Sequence, residues 1–421
     1  MKNVLILTYY FPPLGLGGTQ RVAKFVKYLP DFGWRPIVVT VKPIAYWAMD
    51  RSLEQDVQAA KIIRTESLDP QRLLARIGKT AVTVRAGERK SGVYFINQKL
   101  LPFLFVPDSK ILWHPFVKKV ARQLWTTEKI DALMTSSPPH SVHLVGRSIV
   151  RKYKLPWLVD FRDGWAGSHI VHEPTRWQLK RNQRLQKKTV AAADAVVAVS
   201  RGIKETLKNN SDSNSRFHII ANGFDPDDFP VSSKPHAKFT LCYSGTINKF
   251  AEPQPFLDAL VLLRENDPAQ FENLDVQFVG FDAIGDFSEQ VSKRKLQKCV
   301  QVLGHKQHSD AVAYISNADA LLLIAKSRDV DTFIPGKTFE YFGARKPILA
   351  ISNSRYTNEL LFQYKLAHVV DSFEAPKIYL ALQEFFRKKW YSINVNSSFV
   401  DQFNRRRQTE QLAHILNSIK S

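Results

Sequence analysis

The chain has 421 residues, of which 44% are hydrophobic, and a formal net charge of +21 at pH 7. This length exceeds that of one ordinary domain, so we expect two domains of about 200 residues each. Its two cysteines, Cys242 and Cys299, are too few for a disulfide framework or a cysteine-rich metal site, which indicates a reducing compartment. The positive charge predicts an anionic partner, whether nucleic acid, anionic lipid or a phosphorylated substrate.

The sequence shows no signal for export or for membrane insertion. The apolar run near the N-terminus, Val4 to Leu7, is too short for the core of a signal peptide. No stretch approaches the roughly 20 apolar residues that a membrane-spanning helix needs. We therefore expect a cytoplasmic protein, or one bound peripherally to the inner face of the cell membrane.

The first 41 residues predict a strand, a glycine-rich loop, a helix and a second strand. Lys2 to Thr8 is the continuous apolar run typical of a buried parallel strand. Gly17 and Gly18 follow, and apolar side chains at helical spacing predict a helix from about Thr19 to Asp31. Pro36 to Val41 is the second strand. The loop lacks the GK[ST] ending of a P-loop, so these residues alone do not identify a phosphate site.

Polar side chains follow two further predicted strands. The strand from Ile130 to Thr135 leads into SSPPH, and the strand from Trp157 to Val159 leads into DFRDGW. Ligands bind outside the carboxyl ends of the strands in a doubly wound sheet. The residues placed there for chemistry are His140, Asp160, Arg162 and Asp163. An equal alternative for Asp160 and Arg162 is that they hold the loops together.

A metal site at the second of these loops is a further alternative. Asp163, His169 and His172 carry side chains that can bind metal ions. Their positions do not follow the strict spacing of a metal-binding motif, and we predict that no metal binds. Residues 44–115 have no readable periodicity, and we interpret them as an excursion that lines an acceptor site or covers the core.

A long helix with a basic stripe is predicted from Pro174 to Ala193. Cationic side chains recur there at every fourth position, at Arg176, Lys180, Arg184 and Lys188. Like charges at this spacing repel each other slightly, so the stripe favours an anionic surface such as an acidic membrane leaflet. A solvated helix face is the alternative.

The second half restarts the α/β alternation. The polar segment from Val231 to Lys238 predicts a linker. Strands and helices then alternate from Thr240 to Ala325, which indicates a parallel sheet. The first of these strands leads into a turn that contains Gly245 and Thr246.

The stretch from Ile334 to Ala350, IPGKTFEYFGARKPILA, predicts a short helix that begins at Lys337. Free backbone N–H groups and the helix dipole favour an anion at such a helix start. A lysine is unfavourable in this first turn unless an anion such as phosphate lies beside it. Glu340, one turn on, would reach polar groups beyond the anion, such as ribose hydroxyls. The alternative is an ordinary helix-to-strand connection with solvated charges.

This stretch resembles the signature of the retaining family 4 glycosyltransferases, P-x-K-x-x-E-Y-x-x-x-x-K-P-I, which have the two-domain GT-B fold. The chain matches it at Pro335, Lys337, Glu340, Tyr341, Lys346 and Pro347. It departs from the family at Thr332, where many members carry a glutamate that contacts the donor sugar. Three other stretches also resemble family members: FPP…GG…R from Phe11 to Arg21, the DFRDxW motif of a subgroup, and IIANGFDPDDF from Ile219 to Phe229.

The resemblance implies an α/β fold of the GT-B type, with two Rossmann-like doubly wound domains that face a cleft. Residues 1–230 would form the acceptor-side domain and residues 239–398 the domain that binds the nucleotide sugar. Residues 399–421 would form a closing helix that crosses back to the first domain.

The resemblance also implies roles for individual residues. Lys249 and Lys337 would stabilise the charge on the leaving diphosphate, and His140 or Asp163 would orient or deprotonate the acceptor. Acceptor contacts would come from Asp160, Arg162 and Trp165. The donor-binding residues would be Gly17, Gly18, Gly245, Thr246, Lys249, Lys337, Thr338 and Glu340. Neither a metal nor another cofactor is expected.

The predicted activity is transfer of a sugar from a UDP- or GDP-type nucleotide sugar to a hydroxyl of a saccharide or lipid-linked acceptor. Retention of configuration and a role in cell-surface polysaccharide or glycolipid biosynthesis are expected. One alternative is a nucleotide-sugar epimerase of the same fold. Another is a non-enzymatic basic protein that binds nucleic acid or membranes. The chain lacks zinc-finger, RRM and KH signatures, so we predict no nucleic-acid partner.

Overall fold

The structure is a computed structural model. It describes residues 1–15, 17–43, 49–70, 72, 101–168, 173, 175–209, 216–230, 236–248, 251–326 and 334–419. These residues form two compact units. The first unit contains the described residues up to 222 together with residues 405–419, and the second contains those between 223 and 404.

The first unit is built on a parallel sheet of seven strands. The strands are β1 (Lys2–Thr8), β2 (Trp34–Val41), β3 (Lys61–Thr65), β4 (Ala132–Ser137), β5 (Trp157–Phe161), β6 (Ala195–Ala198) and β7 (Arg216–Ile219). Their order in the sheet is β3-β2-β1-β4-β5-β6-β7, and every pairing is parallel. The order reverses between β1 and β4, so the carboxyl ends of these strands form the switch point where doubly wound sheets bind ligands.

Both faces of this sheet are covered. Within the described residues up to 222, the α-helices are α1 (Gly17–Tyr28), α2 (Leu101–Leu104), α3 (His114–Thr127), α4 (Ser141–Tyr153), α5 (Arg176–Val190) and α6 (Arg201–Asn209), and short 3-10 helices occupy Leu29–Phe32, Ser52–Val57 and Ser109–Trp113. Leu5 and Leu7 pack in one core cluster with apolar residues of α3 and α4. Val4 and Ile6 pack in the other with α1. This alternation follows from the two-residue period of a strand.

The second unit is built on a parallel sheet of six strands. The strands are β8 (Phe239–Ser244), β9 (Leu274–Val279), β10 (Val300–Gly304), β11 (Ala320–Ala325), β12 (Ile348–Ser352) and β13 (Ala367–Val370). Their order is β10-β9-β8-β11-β12-β13, with every pairing parallel. The order reverses between β8 and β11, so the second unit has the same winding and its own switch point.

Helices connect the strands of the second sheet. They are α7 (Gln254–Asn266), α8 (Pro268–Glu272), α9 (Phe287–Lys293), α10 (His308–Asn317), α11 (Lys337–Ala344), α12 (Arg355–Tyr364), α13 (Ala375–Arg387) and α14 (Ser397–Asp401), with 3-10 helices at Pro226–Asp228 and Trp390–Ser392. The apolar core of this unit includes Leu241, Leu260, Phe278 and Leu322, all at most 1% exposed. Two doubly wound α/β units, one around each sheet, constitute the GT-B fold class that the sequence predicted.

The predicted closing helix is wrong in one respect, because it is two helices. The short α14 ends at Asp401, and a turn over residues 402–404 precedes α15 (Arg405–Ser418). Phe403 packs in the second unit, with its ring centroid 5.0 Å from that of Phe339. Leu412 and Leu416 of α15 belong instead to the α1 side of the first core. The chain turns between these two sets of apolar contacts. None of the helices in the described ranges has the length and apolar character that a bilayer crossing needs.

Candidate functional site

A tyrosine in the second unit fixes the start of α11 against the switch point. The hydroxyl of Tyr341 accepts a hydrogen bond from the backbone N–H of Ser244, the last residue of β8, at 2.8 Å. The same hydroxyl donates to the carbonyl of Leu322 in β11 at 3.1 Å. These bonds hold α11, whose first turn carries Lys337 and Glu340, against the carboxyl end of β8 and the middle of β11.

Two glycines allow the backbone after β8 to approach its neighbours closely. A Cβ atom on Gly280 would lie 2.0 Å from the carbonyl oxygen of Gly245. Gly245 itself has a φ of +131°, and a Cβ there would lie 3.1 Å from the Nζ atom of Lys337. A side chain on Gly280 would displace the turn that faces α11, and one on Gly245 would strain the backbone and crowd the Lys337 amino group.

Lys337 holds a buried amino group at this turn. Its Nζ atom is buried and has no hydrogen-bond partner among the described residues, and it lies 3.5 Å from the ring centroid of Tyr243. Burial lowers the pKa of the Lys337 ammonium to about 7, although the charge of Glu340 opposes this effect. A buried cation with so few partners is stabilised by an anion, and the helix start beside it favours the same charge.

Of the other predicted donor residues of the second unit, those that the structure describes lie near this amino group. Thr338 is fully buried, and its hydroxyl has no hydrogen-bond partner among the residues that the structure describes. Glu340 is 20% exposed and lies beside His308. The carbonyl of Thr246 accepts a hydrogen bond from Tyr243 at 3.0 Å. Lys249 lies outside the described residues. The structure thus brings Gly245, Thr246, Lys337, Thr338 and Glu340 together.

In the first unit, Arg162 fastens the glycine loop to the loop after β4. Its guanidinium donates hydrogen bonds to the carbonyls of Ser137 and Pro138, each at 2.8 Å, and to that of Gly18. A Cβ on Gly18 would lie 2.6 Å from this guanidinium. Gly17 is the first residue of α1. Arg162 therefore has the loop-holding contacts that the sequence analysis gave as the alternative to an acceptor role.

Asp160 has contacts of the same kind. It lies within β5, where Trp157 to Val159 had been predicted as the whole strand, and it is fully buried. Its carboxylate forms an ion pair with the equally buried Arg21 at 2.8 Å and accepts a hydrogen bond from Ser136 at 2.7 Å. Because both oxygens have partners inside the unit, these contacts support the loop-holding alternative for Asp160.

His140 and Trp165 stack on each other in the core. Their ring centroids are 5.0 Å apart with planes 4° from parallel, and the two residues are 3% and 1% exposed. The Nε2–H group of His140 donates to the carbonyl of Gly164 at 3.1 Å. Burial lowers the pKa of His140 to about 3, so the ring is neutral at pH 7. Asp163 is half-buried and is the more accessible of the two candidates for orienting an acceptor.

Of the three residues in the metal-site alternative, only Asp163 lies within the described residues. His169 and His172 are outside the described residues. Within the described ranges, no three histidine, cysteine, aspartate or glutamate side chains gather as a set of metal ligands.

The basic stripe of α5 is exposed. Its outward side chains are Arg176, Lys180, Arg181, Arg184, Lys187 and Lys188, and the ring of Trp177 beside them is 61% exposed. The inward face is polar, and the amide of Gln186 accepts a hydrogen bond from the backbone of Ala166 at 3.0 Å. Thr175 caps the helix through a hydrogen bond from the N–H of Gln178 at 3.2 Å. The helix extends over Arg176–Val190, slightly shorter than predicted.

Sequence reasoning did not include several residues that shape the second-unit site. Tyr243 lies under the Lys337 amino group, Gly280 makes room for Gly245, and His308 contacts Glu340. Gly280 was predicted as the last residue of a strand that begins at Asp275, and a glycine within a strand was a usable signal for a close backbone approach. Tyr243 and His308 gave no such signal, because their roles depend on residues distant in the chain.

Comparison with known proteins identifies relatives by sequence and by fold. The sequence model for Glycosyltransferase Family 4 matches residues 17–228, just over half of the chain. Among curated proteins, no sequence matches significantly.

Many solved structures share the fold, among them the following three. Sucrose-phosphate synthase from Thermosynechococcus elongatus is 13% identical with a TM-score of 0.69, over 99% of this chain and 98% of that one. Anabaena HepE, solved in complex with UDP and glucose, is 15% identical with a TM-score of 0.64, over the full length of both chains. A putative UDP-N-acetylglucosamine 2-epimerase from Listeria monocytogenes is 10% identical with a TM-score of 0.57, over 98% and 95% of the chains.

Proposed function

Because this chain belongs to glycosyltransferase family 4, we propose that it transfers a sugar, with retention of configuration, from a nucleoside diphosphate sugar to an acceptor hydroxyl. The observation that carries the proposal is the buried amino group of Lys337, which lies at a helix start and beside a glycine turn. A diphosphate supplies the anion that this arrangement lacks. UDP is the first nucleotide to test, since Anabaena HepE was solved with UDP and glucose.

The proposed chemistry depends on stabilising the leaving group. The bond between the anomeric carbon and the diphosphate breaks, a bond to the acceptor oxygen forms, and the acceptor proton passes to the departing phosphate. Lys337 and the positive end of the α11 dipole stabilise the charge that develops on this phosphate. Lys249 is proposed as a second cation, and Gly245 and Thr246 let the backbone approach the diphosphate. Gly17 and Gly18 remain predictions from the family resemblance.

Two other residues of α11 complete the proposed donor site. The carboxylate of Glu340 accepts hydrogen bonds from the ribose hydroxyls, one helical turn beyond the phosphates. The buried Thr338 hydroxyl donates to a phosphate oxygen, which gives it the partner that it lacks among the described residues. No metal or cofactor enters this mechanism.

For the acceptor we propose Asp163 as the orienting group. It is half-buried after β5, whereas His140 is neutral and packed against Trp165. A carboxylate there would accept the hydrogen bond of the reacting hydroxyl and fix its direction.

A nucleotide-binding experiment tests the donor site. Melting temperatures are measured with UDP, GDP, ADP and dTDP for the wild type, for Glu340→Ala and for the control Glu359→Ala, whose carboxylate is exposed in a pair with Arg355. A ligand at a hundredfold its dissociation constant adds about 2.7 kcal/mol of stability, enough for a shift of a few degrees. One nucleotide should stabilise the wild type and the control but not Glu340→Ala. Absence of any shift at millimolar concentration would refute the donor site.

A nucleotide-sugar epimerase is the second candidate, favoured by the shared fold of the Listeria monocytogenes protein. The two activities differ in their need for an acceptor. An epimerase converts the nucleotide sugar without one, whereas a transferase releases the nucleoside diphosphate in proportion to the acceptor modified. Product analysis with and without a saccharide acceptor separates them. The family match favours the transferase.

We also propose that α5 binds an anionic membrane surface at the inner face of the cell membrane, where a lipid-linked or polysaccharide-precursor acceptor would be reached. Its exposed cations and Trp177 support this, since each cation near an anionic bilayer contributes about 1 kcal/mol. The double variant Lys180→Gln/Arg184→Gln should bind phosphatidylglycerol-containing vesicles about thirtyfold more weakly. The control Lys293→Gln/Arg355→Gln removes the same charge elsewhere and should change binding little. Equal binding to vesicles of phosphatidylcholine alone would contradict the proposal.

A further inference from the structure

His308, the first residue of α10, lies between two carboxylates of the second unit. Its Nε2 atom is 3.0 Å from Oδ2 of Asp228, a hydrogen-bond distance, and its Nδ1 atom is 3.8 Å from Oε1 of Glu340. The histidine side chain is 10% exposed, and the two carboxylates are 19% and 20% exposed. The ring therefore faces a different carboxylate with each of its nitrogens.

Asp228 itself is well fixed. It ends the 3-10 helix Pro226–Asp228, and its backbone N–H donates to the carbonyl of Asp225 at 3.1 Å. The next residue, Phe229, packs edge-on against Phe224, with ring centroids 5.9 Å apart. A hydrogen bond from His308 to this rigid turn sets the plane of the imidazole, and the other ring nitrogen is thereby kept beside Glu340.

We propose that His308 is a positioning residue for Glu340. The inference rests on the proposed function, in which Glu340 accepts hydrogen bonds from the ribose of the nucleotide. A carboxylate on a helix surface has several rotamers. With both ring nitrogens protonated, His308 carries a positive charge 3.8 Å from the Glu340 carboxylate, and this attraction selects among the rotamers. His308 thus acts on the ribose through Glu340, and Asp228 acts through His308.

The ribose gives this proposal a specific test. Dissociation constants of UDP and of 2′,3′-dideoxy-UDP are measured for the wild type, His308→Ala and Glu340→Ala. Where the wild type prefers another nucleotide, ADP or GDP and its dideoxy analogue replace this pair. We expect His308→Ala to weaken UDP binding about tenfold, the effect of one charge-assisted contact. Binding of the dideoxy analogue, which has no hydroxyls for Glu340, should change less than twofold.

Further variants separate positioning from a general structural effect. His308→Gln can donate one hydrogen bond and should recover part of the affinity, and Asp228→Asn should weaken UDP binding by a smaller factor than His308→Ala. His305→Ala, in the loop just before α10 and with an exposed side chain, is the matched control. In steady state, with the nucleotide sugar as substrate, His308→Ala should raise KM more than it lowers kcat.

The outcomes are distinct. Equal weakening of UDP and its dideoxy analogue in His308→Ala, or no weakening of either, overturns the positioning role even where Glu340→Ala loses the ribose contact. If no nucleoside diphosphate binds the wild type, the proposed function itself fails, and the inference fails with it.

Discussion

The amino group of Lys337 lies over the ring of Tyr243, 3.5 Å from its centroid, at the point where β8 gives way to its glycine turn. Attraction between the cation and the ring partly offsets the free-energy cost of burying the charge. Burial still lowers the pKa of Lys337 to about 7, so the free protein holds this group between its charged and neutral forms at neutral pH.

Nucleotide binding should therefore take up a proton at Lys337. A diphosphate beside the amino group raises its pKa, so the uptake should approach one proton per UDP at pH 8 and fall towards zero at pH 6, where the lysine is already charged. Calorimetry in buffers of different ionisation enthalpy measures this uptake. Lys337→Met should abolish it and weaken UDP binding, while the exposed Lys377→Met should do neither. Uptake that is unchanged in Lys337→Met would contradict the assignment.

Gly280→Ala should disrupt the donor turn. The added Cβ would lie 2.0 Å from the Gly245 carbonyl oxygen, and we expect a loss of about 3 kcal/mol in the free energy of unfolding together with loss of UDP binding. Gly304→Ala is the matched control, because its φ of +69° strains an alanine but nothing lies within 4 Å of the new Cβ. Gly304→Ala should lower the free energy of unfolding by about 1 kcal/mol. Urea denaturation compares the two, and equal losses would contradict the steric argument.

Removal of Arg21 should destabilise the first unit strongly. Arg21→Met leaves the fully buried Asp160 carboxylate without its ionic partner, which typically costs about 3–5 kcal/mol. Arg201→Met breaks an exposed pair with Glu205 and should cost less than about 1 kcal/mol. Adding Asp160→Asn to Arg21→Met should recover part of the loss, since the uncompensated charge is then gone. If Arg21→Met and Arg201→Met lowered the free energy of unfolding by similar amounts, the buried ion pair would stabilise the unit no more than the exposed one.

The apolar face of α15 should contribute to the stability of the first unit. Leu412→Ala empties a fully buried position and should lower the free energy of unfolding by about 3 kcal/mol. Arg406→Ala, on the same helix, breaks an exposed ion pair with Asp31 and should cost at most about 1 kcal/mol. Thermal unfolding of both variants measures the difference. An equal, small effect would mean that α15 contributes little to this core.

Buried neutral histidines should make the first unit sensitive to acid. Burial lowers the pKa of His140 to about 3 and that of His114 to about 4, below the ordinary value of about 6.5. The unfolded chain therefore binds more protons below pH 6.5, and stability falls as the pH drops from there towards 3. His140→Gln should reduce this slope by up to one proton, whereas the exposed His305→Gln should not. Urea midpoints between pH 4 and 7 provide the test.

Elements with strong local patterns were predicted well. The predicted bounds of β1, Lys2–Thr8, are those of the structure, and the helix predicted from about Thr19 to Asp31 overlaps α1. A continuous apolar run and a sustained helical period define such elements without help from neighbours. The edge strands β3, β7 and β13 were not predicted, because they are short and are defined by pairing with another strand. The sequence also did not show that the packing of Phe403 on Phe339 divides the predicted closing helix at residues 402–404.

The candidate site likewise has features that the sequence could predict and features that it could not. The start of α11 at Lys337 could be predicted because proline and glycine precede it. The contact of Lys337 with Tyr243 could not, since it depends on how β8 and β11 pair across the switch point. Asp160 and Arg162 show a different limit. A polar residue at a strand end can face a ligand or a buried partner, and only the positions of Arg21 and Gly18 distinguish these roles.

The placement of α15 has a consequence for synthesis on the ribosome. The α1 side of the first core includes Leu412, Leu416 and Ile419, which the ribosome adds after the whole second unit. Domains generally fold as units while the chain emerges, N-terminal units first. In this protein one apolar face of the N-terminal unit stays uncovered until α15 has been synthesised. The described residues of the second unit are contiguous in the chain, so this unit can complete its core first. The nascent chain is thus exposed to aggregation or chaperone binding at α1 until α15 emerges.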